Sequence, residues 1–362
     1  MLLDRNNNFV EQREIRIKMS LMKTVLDYGF MMGKITLGFT TLICFMLYQY
    51  QDNLLYFPSP PGLPKLIDEN PEGARNPGEW SIKGYMLNFP NSSESIPYED
   101  VMLETKDGIK IHTWLLLQKN SSNVPTLIYF HGNAGNMGYR LRNAAEMYAR
   151  VGINILMMDY RGYGNSTGIP TEKGIMIDAE KVVQYASSHP KLSKSPLVCF
   201  GRSLGGAVSV AIAAQYPDLV KGIILENTFL SISKMVDRLL PFVSILKPLV
   251  LRINWNSEKL IGNLKQPILF IAGERDELVP HSHMQKLSEL ATSSSLKDWF
   301  PVSTGTHNDT WVVAGSIYYK RMKSFVSTAF GLGICSSDND NELKRSNVES
   351  LPTMRTDFTI KN

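Results

Sequence analysis

Cysteine is nearly absent from this chain. Cys44, Cys199 and Cys335 are the only three among 362 residues, too few for a disulfide framework and at no metal-ligand spacing. Charge of one sign is lacking too: 38 Lys and Arg stand against 34 Asp and Glu, for a net +4 with no basic stripe. Electrostatics therefore give no case for nucleic acid as a partner. A hydrophobic share of 43% excludes a mostly disordered chain. At about 150 residues per domain the length suggests two domains, or one large α/β sheet with additions.

One stretch is devoid of charge altogether. Ile35 to Gln51 is a 17-residue run without an ionisable Asp, Glu, Lys or Arg, and extending it back to Tyr28 gives 24 residues with Lys34 as the single internal charge. A bilayer needs roughly 17–25 such residues, and a lysine can snorkel to the interface. Arg5, Arg13, Arg16, Lys18, Lys23 and Lys34 precede the exit, whereas the next basic residue is Lys65. That bias puts residues 1–27 in the cytosol, makes 28–51 a transmembrane signal-anchor, and sends the bulk of the chain to the lumen or outside as a single-pass type II protein. A cleaved signal peptide fits poorly, because Cys44 to Tyr50 offers no small residues before a cut. An interfacial or buried helix is the other reading. Sequons at Asn91, Asn120, Asn165 and Asn308 are compatible with a lumenal domain.

Residues 52–97, rich in Pro, Gly and Asn, read as a linker that leaves the membrane and wraps onto the following domain. Lys106-Asp107-Gly108 between Val101–Thr105 and Ile109–Leu117 is a hairpin signal. Short apolar runs follow at Thr126–Phe130, Ile153–Met158, Leu197–Phe200, Val220–Leu225 and Pro267–Ala272. Helical patterns separate them at Tyr139–Arg150, Glu172–Ser187, Leu204–Gln215, His281–Leu290 and Thr310–Thr328. Runs apolar on both faces and spaced by helices predict a mostly parallel, doubly wound α/β sheet over 98–330. The interval 229–264 breaks this rhythm with apolar helical segments around Pro241 and Pro248, and reads as a small helical cap inserted between two strands. Residues 331–362 are polar and charged, as expected of a disordered tail.

Gly201-Arg202-Ser203-Leu204-Gly205 matches G-x-S-x-G directly after an apolar strand and at the start of a helix, the context of a nucleophile elbow. A serine hydroxyl needs a base to take its proton and an acid to orient that base. In this architecture the order is Ser, then Asp or Glu, then His. Asp276 lies just beyond the strand ending at Ala272, at the carboxyl end of the sheet, with Glu274 and Glu277 as neighbouring rivals. His307 follows the strand-like Trp299–Val302. The other histidines have duller places: His112 in the hairpin, His189 at a helix end, His281 and His283 at a helix start, and His131 holding a turn.

An oxyanion needs backbone N–H donors already aimed at it, each worth roughly 3–4 kcal/mol. Leu204, after the nucleophile, supplies one. The loop His131-Gly132-Asn133-Ala134-Gly135-Asn136 supplies the other, with Asn133 preferred to Ala134. The turn Asp159-Tyr160-Arg161-Gly162-Tyr163-Gly164-Asn165-Ser166 reads as a buttress for that loop. Cys199 reads as a buried small hydrophobe.

The 131–136 loop, the 159–166 turn, Gly201 to Gly206 and Gly305-Thr306-His307-Asn308-Asp309 together resemble the α/β-hydrolase superfamily of serine hydrolases, and more narrowly its single-pass, type II membrane members. The resemblance spans about residues 25 to 330. It implies a hydrolase fold with Ser203, Asp276 and His307 as the charge-relay positions, and no metal or organic cofactor. The tail after about 335 departs from that pattern.

The function expected is a membrane-anchored serine hydrolase that cleaves ester, thioester or amide bonds of lipid-like acyl substrates through an acyl-enzyme. A catalytically silent hydrolase-like membrane scaffold and a serine peptidase are the alternatives. Serine at 203 speaks against haloalkane or epoxide chemistry, which needs a carboxylate nucleophile. The bilayer and a small acyl substrate are the partners expected. The sequence sets no oligomeric state.

Overall fold

The computed structural model describes residues 3–331 apart from 91 and 193, with only the backbone of 3–12. The predicted tail over 331–362 therefore lies outside the described residues from 332 on, as does the sequon at Asn91. Eight strands form one sheet: β1 (Tyr98–Glu104), β2 (Lys110–Leu116), β3 (Thr126–Phe130), β4 (Asn154–Met158), β5 (Leu197–Arg202), β6 (Val220–Glu226), β7 (Ile268–Gly273) and β8 (Lys297–Val302). Their order is β1-β2-β4-β3-β5-β6-β7-β8. β1 pairs antiparallel with β2 across the Asp107-Gly108 turn, and β2 pairs antiparallel with β4. The remaining pairs are parallel, as runs buried on both faces require.

The helices are α1 (Leu3–Leu55), α2 (Leu141–Val151), α3 (Glu172–Ser188), α4 (Leu204–Gln215), α5 (Ile232–Leu239), α6 (Lys247–Val250), α7 (Ser257–Leu260), α8 (His281–Leu290), α9 (Thr310–Ala314) and α10 (Ser316–Phe330). α2 and α10 pack together, and α3, α4, α7 and α8 form a second contiguous group. One core cluster joins Leu127 and Tyr129 of β3 to Met147 and Tyr148 of α2 and to Tyr319, Met322 and Phe325 of α10. This is the α/β-hydrolase fold, with an N-terminal helix long and apolar enough, by length and composition, to cross a membrane.

Three helices differ from expectation by more than a residue at an end. The helix expected to begin near Tyr139 starts with a 3-10 turn at Met137–Arg140, and regular α2 follows from Leu141. The single last helix expected over Thr310–Thr328 is two, because Gly315 sits at φ 51 and breaks the ladder between α9 and α10. The apolar run at 28–51 is part of a helix of 53 residues that starts at Leu3. No proline interrupts the chain before Pro58, so nothing in the backbone stops the helix where its polarity changes.

The chain forms two compact units. One comprises 1–51 with 242–252, the other 52–241 with 253–362. In the first, the α1 side chains Phe30, Leu37, Phe39 and Phe45 are exposed, and Gln51 Nε2 donates to the Val250 carbonyl at 2.9 Å. In the second, Tyr56, Ile67, Trp80 and Ile96 of the 52–97 segment are buried. Among its described residues that segment carries two 3-10 turns, Ile67–Glu69 and Pro77–Glu79, and no regular strand.

Candidate active site

The parallel strands all point their carboxyl ends the same way, so the loops after β3, β4, β5, β6, β7 and β8 gather at one edge. β5 runs into Ser203, which has φ 55 and ψ −119, and α4 begins at Leu204. A non-glycine residue in this region costs roughly 1–3 kcal/mol and persists only where its surroundings dictate it. They do so here. Ser203 N–H donates to Glu226 O at 3.0 Å, and the Thr228 hydroxyl donates to Ser203 O at 2.7 Å. A Cβ on Gly205 would overlap the Phe130 carbonyl, and one on Gly206 would run into the Thr228 side chain. The bend is thus wedged between β3 and the end of β6.

Asp276 and His307 meet. His307 Nδ1 and Asp276 Oδ2 are 2.8 Å apart, with the side chains 7% and 2% exposed. Asp276 Oδ1 accepts the N–H groups of Leu278 at 2.9 Å and Val279 at 2.8 Å. Of the rival acids, Glu277 accepts only the backbone N–H of His307, at 3.2 Å, and Glu274 is exposed. Among the described residues no hydrogen bond joins the Ser203 hydroxyl to His307.

Two residues that sequence reasoning missed hold these loops. Asn227, at φ 45, donates from Nδ2 to Thr306 O at 2.9 Å and His307 O at 3.0 Å, and its Oδ1 accepts Gly273 N–H at 2.8 Å. It therefore ties the histidine loop to the start of the acid loop. Glu226, fully buried, pairs with Arg202 at 3.0 Å and accepts the hydroxyls of Thr310 and, at 2.9 Å, Tyr318. Arg202 Nη1 in turn reaches Asn308 O at 3.5 Å, bracing the backbone beside His307. Only the position of both residues at the end of β6 hinted at such a role.

In the 131–134 loop every carbonyl is tied down. Tyr160 Oη donates to His131 O at 2.9 Å, His131 Nδ1 lies 2.6 Å from Gly132 O, and Arg140 Nη2 donates to Ala134 O at 2.7 Å. Asn133 O accepts both Phe57 N–H at 2.9 Å and the Tyr163 hydroxyl at 2.8 Å. The peptide is trans and planar, so an anchored C=O fixes the next N–H to point the opposite way. His131 thereby orients the N–H of Asn133. That N–H and the N–H of Leu204 make no intramolecular hydrogen bond among the described residues. A Cβ added to Gly132 would lie 3.9 Å from Ser203 Cβ, which puts this loop against the nucleophile candidate.

The turn over Asp159–Ser166 thus buttresses the loop through the Tyr160 and Tyr163 hydroxyls. The last residue of α1 and the segment after it do so as well: Asn133 Nδ2 donates to Leu55 O at 2.9 Å, and Gly135 N–H donates to Phe57 O at 3.0 Å. Backbone-mediated contacts of this kind leave no motif, and sequence reasoning gave the segment no part in the site.

Beneath the loop lies a buried titratable pair. Burial, then the Arg140 guanidinium, lowers His131 to about 3, so the ring is neutral and its Nδ1–H is free to hold Gly132 O. Burial pushes Asp159 up to about 7 against the lowering effect of the Met137 N–H it accepts. Their 3.5 Å approach is consequently a contact between a neutral imidazole and a carboxyl that is protonated below about 7, rather than an ion pair. Cys199 is buried, free and pushed up by burial, as expected of a small hydrophobe. Of the sequon residues, Asn120 is exposed and Asn308 half-buried beside His307.

A strained serine elbow over a mostly parallel sheet defines the class of α/β hydrolases. Residues 125–254 match the family described as the alpha/beta hydrolase fold. The chain is 36% identical over 312 residues to the protein bem46 of Schizosaccharomyces pombe, covering 85% of this chain and 95% of that one. It is 35% identical to the alpha/beta hydrolase domain-containing protein WAV2 of Arabidopsis thaliana, over 84% of this chain and 94% of that one. A Saccharomyces cerevisiae protein named a membrane protein, YNL320W, is 39% identical, over 79% and 92% respectively. Among solved structures, the esterase Pf2001 of Pyrococcus furiosus has the same fold, with a TM-score of 0.55 and 22% identity over 67% of this chain and 95% of its own. The chain belongs to the α/β-hydrolase family and groups within it with bem46 and WAV2.

Removing the Tyr163 hydroxyl leaves Asn133 O with a single donor, and a neutral hydrogen bond is worth about 1 kcal/mol. Tyr163→Phe is expected to lower the free energy of unfolding by about 1 kcal/mol, as chemical denaturation of both proteins will show. Asp159 carries a pH signature. Between its unfolded value of 3.8 and its folded value of about 7, the folded state keeps a proton that the unfolded chain has released. Its contribution is therefore complete below about 4 and is lost as pH rises through 7. Asp159→Asn keeps an acceptor for Met137 N–H and removes the titration. The stability of the variant relative to the parent should grow from pH 4 to pH 7, by at most ~4 kcal/mol, a difference in which the opposite slope from His131 cancels. Thermal unfolding of both proteins across that range checks it.

Proposed function

We propose that this chain is a membrane-anchored serine hydrolase that cleaves ester, thioester or amide bonds of lipid-like acyl substrates. The observation that carries the reading is the 2.8 Å contact between His307 Nδ1 and Asp276 Oδ2 at the sheet edge where Ser203 sits on its strained bend. With Nδ1–H donated to Asp276, the Nε2 lone pair is the free one and acts as the base. His307 Nε2 takes the Ser203 proton as Oγ attacks the acyl carbon, and the carbonyl oxygen becomes an oxyanion bound by the N–H groups of Asn133 and Leu204. Collapse expels the alcohol, thiol or amine, which takes the proton from His307. Water then attacks the acyl-enzyme by the same relay and releases the acid. The Ser203–His307 hydrogen bond closes with substrate in place, since such bonds are often long in the free enzyme.

The acyl preference rests on the anchor and the apolar interval 229–264, and the YNL320W relative is named a membrane protein. Fold alone assigns no substrate. We further propose that α1 spans the bilayer over 28–51 with its basic end in the cytosol and the hydrolase unit lumenal or extracellular.

A fluorophosphonate probe is expected to label the parent protein and not Ser203→Ala, with turnover of an acyl ester falling about 10³-fold or more in Ser203→Ala and His307→Ala. Equal labelling of the serine variant would overturn the assignment and favour the silent scaffold. In sealed vesicles, the unit from 52 onward should resist added protease until detergent is supplied. Glycosidase should shift the mass of the parent chain, and Asn120→Gln with Asn308→Gln should abolish a shift carried by those sites. Cleavage of the unit in intact vesicles would reverse the topology.

A further inference from the structure

The segment 242–252 belongs to the same compact unit as α1 and apart from the hydrolase unit. Its sequence, Phe-Val-Ser-Ile-Leu-Lys-Pro-Leu-Val-Leu-Arg, carries two basic residues and no acid. Phe242, Ile245 and Leu249 recur at helical spacing through the 3-10 turn Ser244–Leu246 and α6, and are 75%, 84% and 73% exposed. Three large apolar side chains are thus bared at helical spacing, and such faces mark contact sites.

What lies beside the face is fixed by hydrogen bonds to the last turns of α1 before Asp52. Gln51 Nε2 donates to Val250 O at 2.9 Å, while Arg252 N–H donates to Gln51 Oε1 at 2.9 Å and Arg252 Nε to Tyr48 O at 3.1 Å. The Arg252 guanidinium also lies 5.9 Å from the centre of the Tyr48 ring. Tyr48 to Gln51 is where the apolar run 28–51 ends. Aromatic and arginine side chains favour that interfacial depth. From this continuity we infer that the 242–252 segment is a second membrane contact, seating Phe242, Ile245 and Leu249 in the acyl boundary of the leaflet that α1 exits. The inference rests on reading α1 as a spanning helix. It makes part of the inserted interval a lipid-bound element rather than a solvent-exposed cap.

The test uses the full chain in phosphatidylcholine–phosphatidylserine vesicles, with Cys44→Ser and Cys335→Ser as background and an environment-sensitive fluorophore on one introduced cysteine at a time. Ile245→Cys reports the segment, Phe39→Cys the span, and Phe89→Cys a site 82% exposed in the hydrolase unit that controls for the dye itself seeking lipid. Shallow lipid-borne spin labels are expected to quench the Ile245 probe at least twofold and aqueous iodide to leave it untouched. Deep spin labels should quench at Phe39, and iodide alone at Phe89. Iodide quenching at Ile245 with Phe39 still quenched by lipid overturns the second contact and leaves the span intact. Loss of lipid quenching at Phe39 sinks the spanning reading, and the inference with it. Shielding of Ile245 from both quenchers means a protein partner or a second copy covers the face, which also overturns the lipid assignment.

Discussion

The site depends on one bend. Ser203 stands at a positive φ that its Cβ disfavours, and the fold keeps it there by crowding: Phe130 behind Gly205, Thr228 against Gly206, and the Glu226 carbonyl on its N–H. The same contacts organise the neighbouring strands. Once β6 must end where Glu226 and Thr228 can grip the elbow, Asn227 between them is placed to bind the loops after β7 and β8, and Glu226 to hold Arg202, Thr310 and Tyr318. Strain at one residue and the network around it are thus two descriptions of a single packing solution.

The other half of the site is built by subtraction. Anchoring each carbonyl of residues 131–134 toward the protein leaves the intervening N–H groups to face outward, and the protein meets this need with neutral donors where it can. His131 serves because burial keeps it uncharged, and the phenols of Tyr160 and Tyr163 because they titrate far above neutrality. A dry, fixed array of dipoles requires little reorganisation when negative charge develops near it, which is what makes preorganised donors effective. Phe57, just past the end of α1, completes the array through its N–H on Asn133 O, so the segment that follows α1 is part of the loop's scaffold.

Much of this was legible in residue order. Alternating buried strands and helices announced the doubly wound sheet, and Gly201 to Gly205 after an apolar run located the elbow, because glycine is the residue that close backbone approach demands. Other features were beyond a linear reading. Residue order favoured Asp276 over Glu274 and Glu277, but only the fold of the loop sets its carboxylate against the imidazole. Gly315 falls inside the helix expected over Thr310–Thr328, and its positive φ appears only because the chain must turn between α9 and α10. Asn227 carries no motif, since any side chain that bridges two distant loops is defined by those loops and not by its neighbours in sequence.

What the sequence determined by itself were the periodic and local properties: the apolar run of α1, the strand–helix alternation, the hairpin at Asp107-Gly108, and the residue types capable of nucleophile, base and acid chemistry. Each follows from interactions within a few residues or from burial as an average. Tertiary structure alone decided which acid meets His307, that the carbonyls of the 131–134 loop are held from residues 57, 140, 160 and 163, and that Val250 and Arg252 fasten onto the end of α1. These depend on distances between groups tens to hundreds of residues apart, which are fixed only when the sheet closes and its loops are forced to share one edge.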